Sequence, residues 1–269
     1  MTRLNQEKNR NEIQVIEIFA SLNGEGYAAG SPAVFVRTMG CNLRCQYGTD
    51  MGNPELSGFC DTPESLTPEL YKLMYPNKEP DWMTAKEIFD KVEELEKDWK
   101  NKSICLTGGE PLLECNKGFM LIELIPMFVN AGYDVGIETN GSIDYTDYIS
   151  KFGKPIIHND NHREGVTIIA DYKLPTSKMT KRMRQENLSL YRETDLIKMV
   201  VSDNKEDWDE LEKVINSGTK AAIYISPMFG KIDMGKLWNF AAEHADKNIR
   251  FQVQLHKIAF SSDPNKKGV

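Results

Sequence analysis

The sequence predicts an α/β fold built on a parallel sheet, and two observations carry that expectation. Short segments rich in β-branched and aromatic residues alternate along the chain with segments of helical periodicity. Almost every cysteine-rich, glycine-rich or charged motif follows directly on one of the strand segments. In parallel α/β barrels reactive groups gather at the carboxyl ends of the strands, so one mouth could receive all of these motifs.

Strands are predicted over residues 15–20 (VIEIFA), 33–37 (AVFVR), 103–107 (SICLT), 133–138 (YDVGIE) and 167–171 (TIIAD). The series continues at 196–201 (LIKMVV), 221–226 (AAIYIS) and 250–255 (RFQVQL). Helical periodicity marks residues 84–98, 118–131, 205–216 and 231–245. Thr84 ahead of Glu87 and Asn204 ahead of Asp207 have the pattern of a short polar cap before an acidic first turn. Turn formers crowd residues 50–80 and 157–165, which read as loops, and there is no internal repeat.

At 269 residues the chain suits a single domain over 1–269, with an inserted loop at about 48–80. A composition of 40% hydrophobic and 27% charged residues is that of a soluble protein, and no run approaches the roughly 18 apolar residues of a membrane span. The polar start MTRLNQEKNRNEIQ lacks the apolar stretch of a secretory signal, which predicts a cytoplasmic setting and five cysteines that act as thiols or ligands. A formal net charge of -7 argues against a nucleic-acid footprint and for a small substrate.

Three cysteines stand in the run GCNLRCQYGTDMGNPELSGFCDT: Cys41, Cys45 and Cys60. A structural zinc site is closed by four protein ligands, whereas three thiolates on an iron-sulfur cluster leave one iron open to a reactive ligand. Gly108-Gly109-Glu110-Pro111 follows the strand SICLT, where paired glycines let the main chain approach a ligand closely. Glu110 alone could equally be a first-turn helix acid. Thr139-Asn140-Gly141 and Tyr172-Lys173 likewise follow strands.

The cysteines and the GGEP run resemble the radical S-adenosylmethionine superfamily. Ser21-Leu22-Asn23-Gly24-Glu25-Gly26, Phe35-Val36-Arg37, Cys60-Asp61-Thr62, Glu138-Thr139-Asn140-Gly141 and Gln254-Leu255-His256-Lys257 narrow the resemblance to the 7-carboxy-7-deazaguanine synthase family, in the order that family has them. It implies a partial (incomplete) TIM-like βα barrel, a modified radical SAM core. It further implies that Cys41, Cys45 and Cys60 ligate a 4Fe-4S cluster and that Gly109, Glu138, Thr139, Asn140, Ala170, Asp171, Tyr172 and Lys173 line the S-adenosylmethionine pocket. Leu22, Asn23, Gly24, Arg37 and Thr107 would grip a pterin, with Arg37 suited to a carboxylate through its planar fork. Thr62 would hold Mg2+, and Gln254 and His256 would face the mouth from the last strand. Thr49 and Asp50 offer a competing threonine and acid, but the intact Cys60-Asp61-Thr62 favours Thr62.

The activity implied is conversion of 6-carboxy-5,6,7,8-tetrahydropterin to 7-carboxy-7-deazaguanine with loss of ammonia, feeding preQ0 and queuosine synthesis. S-adenosylmethionine would be regenerated in it, and a homodimer and a flavodoxin-like reductant are expected. The exposed-looking cluster Lys178, Lys181, Arg182 and Arg184 could dock that acidic reductant, or simply be a solvated helix face. Two other readings remain: an activating enzyme that abstracts hydrogen from a protein glycine, and a zinc module in which Cys105 or Cys115 is the fourth thiolate. Cys105 and Cys115 otherwise read as packing thiols, His158, His162 and His244 as surface residues, and Met179, Met183 and Met199 as filler.

Overall fold

The computed structural model describes residues 11–47, 58, 60–100, 102–158 and 163–260. Gly48, Thr49, Asp50, the rest of the expected insert up to residue 57, residue 59 and His162 lie outside the described residues. Strands β1 (Ile13–Leu22) and β2 (Pro32–Thr38) form an antiparallel pair, and β3 (Asp81–Met83) joins the other edge of β1, also antiparallel. Next to β2 lie β4 (Ser103–Gly108) and β5 (Asp134–Thr139). After a short hairpin strand, β6 (Ile156–Ile157), come β7 (Arg163–Asp171), β8 (Leu196–Val201), β9 (Ala222–Pro227) and β10 (Ile249–Phe251). From β2 to β10 the neighbours are parallel and follow chain order, β6 alone lying off the path, so the sheet reads β10-β9-β8-β7-β5-β4-β2-β1-β3.

The helices are α1 (Pro68–Met74), α2 (Ala85–Glu96), α3 (Lys117–Phe119), α4 (Ile125–Asn130), α5 (Thr146–Phe152), α6 (Asn187–Leu190), α7 (Lys205–Ile215), α8 (Met234–Glu243) and α9 (Leu255–Ala259). Ile88 and Val92 of α2, Phe128 of α4, Leu211 of α7 and Leu237 of α8 join Val34, Val36, Ile104, Leu106, Val135 and Ile137 in the main core between helices and sheet. The alternate residues of the same strands point to the opposite face, where Phe19, Ala33, Phe35 and Cys105 form one small cluster and Tyr27, Ile169, Leu196, Ala222 and Tyr224 another. Period-two alternation thus divides each strand between a helix-covered core and a second face that carries the site. Among the described residues no helix is long and apolar enough to cross a membrane.

Several local expectations change for physical reasons. The cap at Thr84 holds as a full capping box: its Oγ1 accepts from the Glu87 N–H at 3.3 Å, and its own N–H donates to Glu87 Oε2 at 2.9 Å. At α7 the Asn204 side chain makes no cap; Asp207 is instead buried, accepting from Thr176 N–H at 2.8 Å and Ser202 Oγ at 2.7 Å. The helix expected over 118–131 is broken by a π-turn, Met120–Leu124, ahead of Pro126, whose ring nitrogen cannot supply the next α-helical hydrogen bond. Within the expected loop at 50–80, Pro68 at the first helical position and Thr67 accepting from Leu70 N–H at 3.3 Å start α1. The last predicted strand stops at Phe251, and Gln254 begins α9, so His256 rides on a helix. The basic run from Lys178 to Arg184 is not a helix face; it holds only a 3-10 turn, Thr180–Arg182.

One buried ion pair ties β7 to β8. Arg192 Nη2 and Nε donate to Asp195 Oδ1 and Oδ2 at 2.6 and 2.8 Å, Nη2 also reaches Val166 O at 2.8 Å, and Ile168 N–H donates to Asp195 Oδ1 at 2.9 Å. Removing one member strands the other's charge in a dry site. Asp195→Ala is therefore expected to cost roughly 3–5 kcal/mol of unfolding free energy, read by urea denaturation; a loss below about 1 kcal/mol, the size of an exposed pair, would contradict it.

Candidate active site

The three loops expected to carry the chemistry are locked together by backbone. Gly108, at φ 128° and paired with Thr38 across β2 and β4, has no room for a side chain: a Cβ would stand 2.3 Å from Thr38 O. At Gly109 a Cβ would lie 2.1 Å from Gly40 O and 2.7 Å from Ser65 O. Gly40 N–H donates to Ser65 O at 2.8 Å and Glu110 N–H to Gly40 O at 2.7 Å. The residue before Cys41, the turn after Cys60 and the GGEP loop thus meet at van der Waals contact of main chain, which only glycine permits.

Glu110 is no helix acid. It is fully buried and braces a fourth loop: Oε1 accepts from Leu112 N–H at 3.0 Å and Thr139 Oγ1 at 2.8 Å, and Oε2 from Asn140 N–H at 2.7 Å. Asn140 in turn donates through Nδ2 to Asn42 Oδ1 at 2.9 Å and toward Cys41 Sγ at 3.6 Å. The Leu43 N–H donates to Cys41 Sγ at 3.4 Å, and Arg44 Nη1 to Cys41 O at 2.8 Å.

Cys41, Cys45 and Cys60 share one neighbouring cation, the buried ammonium of Lys173. Burial is the main influence on all three thiols and pushes each upward, Cys45 to about 11, while Lys173 works against it at every one. Lys173 Nζ lies 2.6 Å from Asp171 Oδ2 and 5.4 Å from the Tyr47 ring centroid, and the other Asp171 oxygen, Oδ1, is buried without a partner among the described residues. Cys60 Sγ stands 3.7 Å from Thr62 Oγ1 and 3.5 Å from Asp61 Oδ1, and burial of Asp61 is outweighed by Lys257 and Lys173, which hold its carboxyl below the ordinary range. A cavity of about 390 Å³ lies between Gln46 and Tyr47 on one side and Thr176, Ser202, Asn204 and Met228 on the other, and among the described residues no cysteine lines it.

Soft thiols around a fixed cation, with an orphaned carboxylate oxygen beside them, fit in kind a thiolate-ligated metal group with a polar co-ligand. Asp61 and Thr62 add hard oxygen donors of the kind Mg2+ takes. Among the described residues no three His, Cys, Asp or Glu side chains already stand in metal-holding geometry. Cys105 is buried with Phe19 and Phe35, and Cys115, exposed, bonds Asn116 Oδ1 at 3.6 Å.

A row of charged and polar groups crosses the second face next to the cysteines. Arg37 Nε donates to Glu17 Oε1 at 2.7 Å, its guanidinium lies 5.8 Å from the Phe19 ring centroid, and its Nη groups have no hydrogen-bond partner among the described residues. Thr107 Oγ1 donates to Glu138 Oε2 at 2.9 Å, and Lys198 Nζ lies 3.6 Å from Glu138 Oε1 and 2.6 Å from Glu25 Oε2. His256 reaches the same face from α9; Gly24 sits so close that a Cβ would stand 2.4 Å from His256 Nδ1, and burial, followed by the opposing Glu25, dominates its surroundings, its proton affinity ending below the usual imidazole range. Gln254 Oε1 is buried and unpartnered among the described residues.

The expected site residues therefore divide. Glu138 stands with Arg37 and Thr107, whereas Thr139 and Asn140 turn to Glu110 and the cysteine loop. Ala170 packs in the main core and Tyr172 Oη donates to Glu210 Oε1 at 2.7 Å, so these two offer the site only backbone. Asn23 spends its Nδ2 on Ser31 O at 3.1 Å, and Leu22 is largely exposed. Met183 and Met179 are more than filler, their sulfurs accepting from Lys173 N–H at 3.2 Å and Arg44 N–H at 3.4 Å. Sequence reading missed Glu17, Lys198 and Gln252, though a lysine inside the apolar strand LIKMVV was a signal.

Fold and site define an α/β enzyme whose polar groups gather where parallel strands end. The chain is 33% identical over 260 residues to the 7-carboxy-7-deazaguanine synthase of Clostridium acetobutylicum, covering 95% of this chain and 99% of that protein. It is 32% identical over 247 residues to the one from Methanospirillum hungatei, covering 91% and 85%. It belongs to the 7-carboxy-7-deazaguanine synthase family. The crystal structure of QueE from Escherichia coli has the same fold, with a TM-score of 0.59 at 20% identity over 90% of this chain and 94% of that one. No family model matches the sequence.

Burial raises the Glu110 carboxyl to about 7 against the pull of its three donors. The folded chain then holds a proton that the unfolded chain has released above about pH 4.5, so this group's stabilising contribution is full at low pH and fades as pH rises through about 7. The difference in unfolding free energy between wild type and Glu110→Gln is expected to fall between about pH 5 and about pH 8 in denaturant titrations. A difference that stays level or grows would show that the donors outweigh burial.

Proposed function

We propose that the protein is a 7-carboxy-7-deazaguanine synthase: it converts 6-carboxy-5,6,7,8-tetrahydropterin to 7-carboxy-7-deazaguanine with release of ammonia, in preQ0 and queuosine synthesis. Family membership above all supports this reading, together with three thiols that each feel the Lys173 ammonium and the Thr107–Glu138 contact among the polar groups of the second face. Cys41, Cys45 and Cys60 hold a 4Fe-4S cluster, and the backbone at Gly109, Thr139 to Gly141 and Ala170 to Lys173 cradles S-adenosylmethionine. When bound, the two together supply abstraction of a hydrogen atom from the substrate and its later return.

The chain's own residues bind and orient. Arg37, its Nε held by Glu17, offers the remaining edge of its fork to the substrate carboxylate. Glu138 and Thr107 take polar edges of the pterin, so Glu138 serves the substrate rather than S-adenosylmethionine. Thr62, with Asp61 beside it, would hold Mg2+, which would supply charge to orient the substrate carboxylate. His256 and Gln254 close the mouth from α9. No side chain needs to act as a nucleophile, and the ring contraction depends on positioning and exclusion of water.

The wider setting follows from the same reading. The sheet curves into a partial TIM-like barrel, and Gly26 N–H donating to Gln252 Oε1 at 2.8 Å is in keeping with this, since it joins the loop after β1 to the segment after β10. The whole chain is one domain, cytoplasmic and homodimeric. Exposed Lys178, Lys181 and Arg182 flank the cysteine loop, to which their segment is pinned by Gln46 N–H donating to Ser177 O at 3.0 Å, and they suit an acidic flavodoxin-like donor.

Anaerobic reconstitution followed by assay with the carboxypterin, S-adenosylmethionine and a reductant, with and without Mg2+, tests the proposal. Formation of the deazaguanine acid is expected; zinc without iron or sulfide, or turnover only of a partner protein's glycine, would replace it with one of the other readings. Cys60→Ala is expected to lose the cluster's absorbance and all turnover, and a variant that kept both would remove Cys60 from the site. Thr62→Val should blunt the response to Mg2+ while the cluster loads normally; an unaltered response would exclude Thr62 as a ligand.

A further inference from the structure

Lys198 is an unlikely residue for its place, a lysine on a strand between Ile197 and Met199, with its side chain only 9% exposed. Nothing described above uses it. Its ammonium bridges two carboxylates, Glu25 Oε2 at 2.6 Å and Glu138 Oε1 at 3.6 Å. The Glu25 end is anchored: Gly26 N–H donates to Gln252 Oε1 at 2.8 Å, and Gln252 Nε2 donates to Ser226 Oγ at 3.0 Å and to Glu25 Oε1 at 3.5 Å. The Glu138 end opens to the mouth, with a side chain 35% exposed. A line of contacts thus runs from the segment after β10, through the loop after β1 and β8, to the carboxylate on β5.

We propose that Lys198 is a positioning residue for turnover: anchored by Glu25, it holds Glu138 as an oriented carboxylate facing the mouth, ready to accept from an N–H edge of the substrate. A lone ammonium could not be buried here without an anion, and Glu138 is crowded enough that without a cation it would take up a proton. A protonated Glu138 would offer the substrate a donor where an acceptor is needed. Burial pushes the Glu138 carboxyl upward, and Lys198 is the largest influence bringing it below the ordinary range, ahead of Thr107 and Arg37.

Other charged groups face the same place and set the comparison. Arg37 approaches Glu138 from β2 but shares its charge with Glu17 and lies near Glu64; Asp171 at the end of β7 and Glu25 face Lys198; His256 of α9 faces Glu25 and Lys198. Among the described residues only Lys198 touches both Glu138 and Glu25, whose neighbour Gln252 follows β10. Lysine rather than arginine suits the task, because a compact ammonium on a long stem can sit between two carboxylates that do not lie in one plane.

The inference rests on the proposed substrate, and its test separates the two. Isotope-edited infrared titration of reconstituted protein carrying 13C-glutamate, with Glu138→Gln identifying the band, reads the Glu138 carboxylate directly. In Lys198→Met and Lys198→Gln its midpoint is expected to rise by about one pH unit or more, and in Lys198→Arg to stay near wild type. The KM for the carboxypterin should rise roughly tenfold or more in both neutral variants, with a smaller change in kcat and partial recovery in Lys198→Arg. A merely structural lysine would change thermal stability without moving that midpoint. If both neutral variants fail to fold, Glu25→Gln, which removes the anchor and keeps the cation, should still raise KM. An unmoved midpoint in a folded neutral variant, or an unmoved KM in Glu25→Gln, overturns the proposal; a wild type inert toward the carboxypterin overturns the substrate instead, and the infrared arm still decides Lys198.

Discussion

The site depends on a place where three stretches of main chain touch with no side chain between them. Gly109 lies against Gly40 and Ser65, and Gly108 against Thr38, so the loop after β4 cannot move without carrying the cysteine loop on one side and the turn after Cys60 on the other. Backbone contact is stiffer than side-chain packing because it has no rotamers to relax into. The knot turns three loops of distant sequence origin into one rigid ledge. Glu110 extends the ledge to Thr139 and Asn140, and Asn140 returns it to Cys41.

Around that ledge the protein concentrates buried charge that would be costly elsewhere. Lys173, Lys198, Arg37, Glu138 and Asp171 stand within a few residues of strand ends, each with an opposite charge near it. Such pairs add little net stability, since desolvation offsets their attraction. What holds the molecule is the other side of the sheet, where aliphatic and aromatic side chains from β2, β4, β5 and β8 pack under α2, α4, α7 and α8. One face of the strands thus stabilises while the other carries the polar groups. The Arg192–Asp195 pair, on the rim away from the mouth, differs in kind, because both Asp195 oxygens and Arg192 Nε and Nη2 are hydrogen-bonded and together register β7 against β8.

Most of the strands were legible because β-branched runs such as AVFVR and LIKMVV carry their own period and composition, and the motifs were legible because they sit at the ends of those runs. Helix ends were less so. Pro126 reads as an ordinary helix residue until the π-turn before it is seen, and Asp207 reads as a capping acid until its burial by Thr176 and Ser202 is known. The C-terminal QLHK run shows the limit: its residues reach the mouth, but from a helix docked on Gly24, a contact set by tertiary approach that no local pattern announces. The bracing role of Glu110, a residue the GGEP run itself displays, was hidden for the same reason, since its three donors come from two loops some thirty positions apart in the chain, as Glu110 and Asn140 are. The division of Glu138 from Thr139 is a matter of strand pleat, since neighbours in sequence point to opposite faces, while Asn140 lies just past the end of β5 and is turned by its bonds to Glu110 and Asn42.

The apolar clusters on the second face have a consequence for whatever enters the mouth. Phe35 lies two residues before Arg37, Cys105 two before Thr107, and Leu196 two before Lys198, so an oily layer of Phe19, Phe35, Cys105, Tyr27, Leu196 and Tyr224 lies directly beneath the polar row. Two residues of strand rise only about 7 Å. On the proposed function that layer would be a floor and a depth stop: a bicyclic ring whose edges met Arg37, Thr107 and Glu138 could sink no further without displacing aromatic rings. On that reading the shape of a ligand would be gauged from below by apolar side chains, separately from the charged groups that meet its polar atoms.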